Sequence, residues 1–184
     1  MTKTEKNNRQ GSTLAEKMIL LLLLLCGFAV RLYDLTDPPL DFHASRQLRS
    51  AIIARSFYYE NLNAPPGELE PATTVLAAEL AELERYEPPI MEWVMSRMDR
   101  VIGAEQFWTG RIFSAFFWAL GGLFVYLIGR RFAPAGVVFL SLLVYFFLPF
   151  SIIAGRSIQP DPWMCAWVVI TAWLLIRWTE KPSV

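Results

Sequence analysis

Three acidic side chains stand just ahead of helix-forming stretches: Asp41, Glu87 and Asp161. Four arginines flank the same positions along the chain: Arg46, Arg49, Arg111 and Arg156. These residue types suit one chemistry well. Arginine's planar fork grips phosphate oxygens, and a carboxylate can take a proton from an attacking hydroxyl. Acids and arginines at an outer membrane surface are what a reaction on a lipid-linked phosphate requires. Each residue also has a plainer role open to it. Asp41 can cap the helix that follows, and Asp161-Pro162 makes a cap with a first-turn proline. Glu87 is a poorer cap and reads otherwise as an exposed charge. Arg111 and Arg156 can be anchors whose stems lie on apolar surface while their heads reach water. His43 is the single histidine, and with no second histidine or cysteine pair there is nothing from which to build a metal site. The cysteines, Cys26 and Cys165, lie inside apolar blocks with neither disulfide nor metal spacing.

The elements that would position these residues follow from hydropathy. Of the 184 residues, 54% are hydrophobic and 18% charged, against averages of about 45–50% and about 25% in soluble domains. The excess sits in blocks at 18–33, 107–129, 136–154 and 163–178, each near the ~17–25 residues that cross a hydrocarbon core. Formal net charge is zero, so no global field argues for nucleic acid. The first block has the basic flank of a signal peptide, but Arg31-Leu32-Tyr33-Asp34 follows it with no small-x-small cleavage site. It therefore reads as a retained helix.

The pattern predicts an all-α membrane protein with about four transmembrane helices. Residues 1–13 are a polar, disordered cytoplasmic tail, 14–178 the transmembrane module with a large outer loop at 34–106, and 179–184 a second cytoplasmic tail. Helices are expected from Leu14 to Tyr33, from Phe107 to Gly129, from the turn at Pro134 and Gly136 to Ala154, and from Pro162 to Trp178. Lys3, Lys6, Arg9 and Lys17 share a side with Arg130-Arg131, Arg177 and Lys181. Basic residues near helix ends mark the cytoplasmic side, which puts both termini there; the long loop is exempt from that rule. Within the loop, amphipathic interfacial helices are expected over His43–Leu62 and Pro88–Ile102, and a helix by propensity over Thr73–Arg85. The first carries Ala44, Leu48, Ile52 and Ile53 on one side with Arg46, Arg49 and Arg55 interleaved; the other carries Ile90, Val94, Met98 and Val101 as its apolar stripe.

The order of motifs resembles a known family. An Asp opens the first outer loop. Then come Tyr86-Glu87-Pro88-Pro89-Ile90, Arg111-Ile112-Phe113-Ser114-Ala115-Phe116, Val125-Tyr126-Leu127-Ile128-Gly129-Arg130-Arg131, and Gly155-Arg156-Ser157-Ile158-Gln159-Pro160-Asp161. Over about residues 18–178 this looks like the N-terminal part of GT-C fold glycosyltransferases, the group of protein O-mannosyltransferases and aminoarabinose lipid A transferases. The resemblance implies transfer of a sugar from a polyprenyl-phosphate donor to an extracytoplasmic acceptor, in a bacterial inner or plasma membrane, with no metal or other cofactor required. Asp41 maps to the family's catalytic base or acceptor-positioning residue. Glu87, Arg111 and Asp161 match its acid-x-Pro segment, its helix-start arginine and its second acid, with Arg46, Arg49 and Arg156 as further substrate or phosphate contacts. Two departures stand out. The family often has Asp-Glu where this chain has Asp41-Phe42, and a basic residue where it has Pro88. Family members also carry many more helices. The expectation is thus a partial module, inactive alone, whose partners are membrane lipid, the lipid-linked donor and a chain supplying the missing helices. The rival reading is a non-catalytic membrane subunit packed against a larger partner. A transporter fragment fits less well, since no span carries a central charge.

Overall fold

A computed structural model describes residues 13–59 and 88–180. The polar tail, the Thr73–Arg85 helix and Glu87 lie outside the described residues, apart from Thr13. Every regular element among the described residues is helical. In chain order they are α1 (Leu14–Ala29, prolonged by a 3-10 turn at Val30–Leu32), α2 (Ala44–Tyr59), α3 (Ile90–Ile102), α4 (Phe107–Phe132), α5 (Ala135–Phe147), α6 (Pro149–Ala154) and α7 (Asp161–Glu180). They form two units. The first takes in the chain up to Tyr33, Ala115–Arg156, and the chain from Asp161 on; the second takes in Asp34–Ser114 and Ser157–Pro160.

In the first unit, α1 starts at an N-cap: Thr13 Oγ1 accepts from the Glu16 amide at 3.2 Å. Leu142 and Phe146 of α5 are fully buried and form a core with Val138 and Tyr126. The Phe146 ring lies against Gly27 of α1 and Gly122 of α4, so close that a methyl at either position would overlap the ring carbons. Small residues at helix contacts allow this approach. Glu16 pairs with Arg130 at 3.3 Å, and Arg131 pairs with Glu180. The start of α1 and the ends of α4 and α7 therefore meet at one level.

The third expected crossing is two helices, not one. α5 ends at Phe147, Leu148 is extended, and α6 begins at Pro149. Proline has no N–H, so the Tyr145 carbonyl loses its helical donor. Trp118 Nε1 takes that carbonyl at 3.3 Å, and Tyr145 returns its hydroxyl to the Trp118 carbonyl at 2.9 Å. Arg31, fully buried, donates to the carbonyls of Phe146 at 3.2 Å, of Ser151 at 2.9 Å, and of Gly27. An unmet buried carbonyl costs about 1–3 kcal/mol, so these two side chains make the break tolerable. The long helices also shift at their ends: α4 runs on to Phe132, past Arg130-Arg131, and α7 starts one residue early at Asp161. α4 and α7 are long and apolar enough to cross a membrane, with mean hydropathy 2.0 and 1.2. α1 has 16 residues and α5 has 13, below the ~20 that span a ~30 Å core unaided.

In the second unit α2 packs on α3, and the buried faces mix polar and apolar residues. α2 buries Gln47, Ser50, Ile53, Ala54 and Tyr58, while Leu48 is exposed. Of the apolar side formed by Ala44, Leu48, Ile52 and Ile53, only Ile53 is buried. α3 buries Met91, Glu92, Met95, Ser96 and Asp99 and turns Ile90, Trp93 and Val101 outward. The two helices meet along a partly polar seam, and the apolar stripe of α3 is left facing out, where an interfacial helix would present it to lipid. Gly103, with φ of 85°, closes α3 in the left-handed conformation that glycine adopts without strain.

Candidate functional site

The run from Asp34 to His43 carries the first candidate, and Arg111 holds that run in place. Arg111 is 1% exposed. Its Nη1 donates to the carbonyls of Asp34 at 2.7 Å and Leu35 at 3.0 Å, and its Nη2 to that of Pro38 at 3.3 Å. A rigid fork of donors suits three closely spaced carbonyls better than a flexible ammonium would. Arg111 is therefore no snorkelling anchor. It clamps the loop that leads to Asp41.

Asp41 is exposed, and its Oδ1 accepts from the Phe42 amide at 3.0 Å and from Gln47 Nε2 at 3.0 Å. His43 sits at φ 47°, an uncommon conformation for a residue with a side chain. It turns the chain so that its carbonyl receives the first-turn amides of Arg46 at 2.9 Å and Gln47 at 3.2 Å. α2 thus begins on His43, two residues past Asp41.

Gln47 is fully buried. Its Nε2 also donates to the Phe42 carbonyl at 2.6 Å, and its Oε1 accepts from the Ile158 amide at 2.9 Å. A side-chain amide fits this set of partners in one orientation only, nitrogen toward the oxygens and oxygen toward the N–H. Gln159 Nε2 donates to the same Phe42 carbonyl at 3.1 Å, and Ser114 Oγ donates to the Ser157 carbonyl at 2.7 Å. So Ser157–Pro160 is tied both to the loop of Asp41 and to the start of α4.

Of the sequence candidates, the second unit holds Asp41 at the end of the loop that Arg111 of α4 clamps, with Arg46 exposed and Arg49 half-buried in the opening turns of α2. Arg156 and Asp161 belong to the first unit, the arginine buried and the aspartate exposed as the first residue of α7. Glu87 lies outside the described residues. Sequence reasoning missed Gln47, Gln159 and Ser114. Gln159 and Ser114 stood inside motifs already singled out; Gln47 is a neutral amide with no chemistry of its own, and only its burial reveals its role.

Compared with known proteins, residues 86–184 match the model of a family described as dolichyl-phosphate-mannose-protein mannosyltransferase. No curated protein and no solved structure matches the chain.

Proposed function

The chain belongs to the dolichyl-phosphate-mannose-protein mannosyltransferase family, a GT-C type glycosyltransferase family, and from that premise we propose that it forms the acceptor side of a membrane glycosyltransferase. The donor is a polyprenyl-phosphate sugar and the acceptor lies outside the cytoplasm. The observation that carries this reading is the held carboxylate of Asp41, aimed by a buried glutamine and left open to solvent. A general base needs both a fixed direction and access to its substrate.

Asp41 takes the proton of the acceptor hydroxyl as that oxygen attacks the anomeric carbon. The polyprenyl phosphate leaves with the electron pair of the broken C–O bond. Arg46 and Arg49 meet its charge in this reading, which is electrostatic stabilisation of a leaving oxyanion. The positive charge comes from arginine, and the mechanism calls on no metal. Arg111 acts one step back, through the loop it clamps. Arg156, Asp161 and Glu87 keep the substrate-contact roles that the resemblance implies.

The test uses native membranes. In cells whose own copy is deleted and replaced by wild type or Asp41→Asn, sugar transfer from the polyprenyl-phosphate donor is measured at matched protein levels. Loss of about 10²–10⁴-fold is the expected outcome. Transfer within a few-fold of wild type would remove Asp41 from the mechanism.

A further inference from the structure

The seam between α2 and α3 holds a second feature that the transfer chemistry does not use. Where it meets the start of α4, Ala51, Ala54, Arg55, Met95, Asp99, Glu105, Gln106 and Phe107 enclose a partly open cavity of about 160 Å³. One water needs only ~10–15 Å³ by this measure, so there is room for a small molecule. Asp99 is 3% exposed, and its Oδ1 has no hydrogen-bond partner. Its other interactions, with the Thr109 hydroxyl and the Gln106 backbone, come from the start of α4. A buried carboxylate oxygen with no donor is costly, and here it borders a cavity.

The surrounding charges define what would satisfy it. On α2, Arg55 pairs with Glu105 at 3.1 Å, and the Tyr59 hydroxyl bonds Glu105 as well. On α3, Arg100 turns away and donates to the Phe57 carbonyl at 2.6 Å. Glu105 repels Asp99 rather than neutralising it. Asp99 and Glu105 against Arg55 leave one negative charge in the cavity. Among the described residues no three His, Cys, Asp or Glu side chains come together, too few oxygens to strip water from a divalent ion. An alkali ion likewise needs more oxygens than the lining offers. An ammonium group needs three acceptors, and the two carboxylates with the Gln106 side chain are three, with Phe107 as a wall that tolerates a cation.

We propose that this cavity binds a primary ammonium group, with the orphan oxygen of Asp99 as its chief acceptor. The proposal is independent of the glycosyltransferase reading. The full chain, purified in lipid nanodiscs at pH 8, is titrated calorimetrically with methylammonium chloride, tetramethylammonium chloride holding ionic strength constant. Saturable one-site binding is expected, weakened by at least about tenfold in Asp99→Asn, as loss of a charge-assisted hydrogen bond implies. Ala54→Leu, which fills the cavity and keeps both carboxylates, is expected to lose binding too; helical circular dichroism confirms that each variant is folded. Should either variant fail to fold, Glu105→Gln provides the same comparison from the cavity's rim. No saturable heat from wild type, equal binding in Asp99→Asn, or equal competition by potassium would each overturn the proposal.

Discussion

Asp41 and Asp161 are both aspartates beside a helix N-terminus, yet they stand in different positions. Asp161 is the first residue of α7; Asp41 lies before His43, which receives the opening amides of α2. Asn serves a cap as well as Asp does but takes no proton at neutral pH. Asp161→Asn is accordingly expected to reduce transfer less than Asp41→Asn in the same membrane assay. Gln47 is a positioning residue. Gln47→Leu removes the donor to Asp41 and leaves the Ile158 amide without its acceptor, so kcat should fall while KM stays within a few-fold. Equal loss in KM and kcat would mean that Gln47 only holds the fold.

Asp99 makes a prediction about stability. Burial, first of all, pushes its carboxyl above the usual value of 3.8, with hydrogen bonds from Thr109 and the Gln106 backbone opposing and Glu105 adding to the rise. The folded state then binds the proton more tightly than the unfolded chain. Stability from this group is full below the usual carboxylate value and is lost as pH rises through the raised one. Thermal unfolding of wild type should therefore show a Tm that declines over that interval. Asp99→Asn should flatten the decline and raise Tm at neutral pH. A wild-type Tm that climbs through the same interval would contradict the assignment.

At the scale of elements, two local devices shape the first unit. The Pro149 break is made tolerable by Trp118 and Arg31, each supplying a donor to a carbonyl near the break. The packing of Phe146 between Gly27 and Gly122 is the other. Gly→Ala inside an exposed helix ordinarily stabilises by about 1 kcal/mol. At Gly122 the sign should reverse, because the methyl meets the Phe146 ring; overpacking of this kind costs about 1–3 kcal/mol. Chemical unfolding of Gly122→Ala checks the sign. Adding Phe146→Leu should recover part of the loss, since neighbours in contact do not behave additively.

At the scale of the molecule, the charged helix ends set an expectation for orientation. Glu16, Arg130, Arg131 and Glu180 pair at one level of the first unit, beside the basic residues that favour the cytoplasm. Reporter fusions at Val184 and within 65–75 should fall on opposite sides of the membrane, with Val184 cytoplasmic. Matching sides would overturn the topology.

Residue order alone determined that the described residues are helical and where most of their helices begin, and it carried the motifs that resemble a glycosyltransferase family. Apolar blocks, Pro134 and Gly136 are local signals, and local propensity places them. The faces of α2 and α3 were not legible, because a stripe such as Ile90, Val94, Met98 and Val101 states only that a surface avoids water, and lipid satisfies it as well as a core does. The break at Pro149 was hidden for a related reason: the apolar run continues through it, and whether a proline kinks or ends a helix depends on donors such as Trp118 and Arg31 that arrive from elsewhere in the chain. The same holds at the site. Asp41 and Arg111 were visible as charges, but hydrogen bonds between residues distant in sequence made the arginine a clamp on the loop and Gln47 the group that aims the carboxylate.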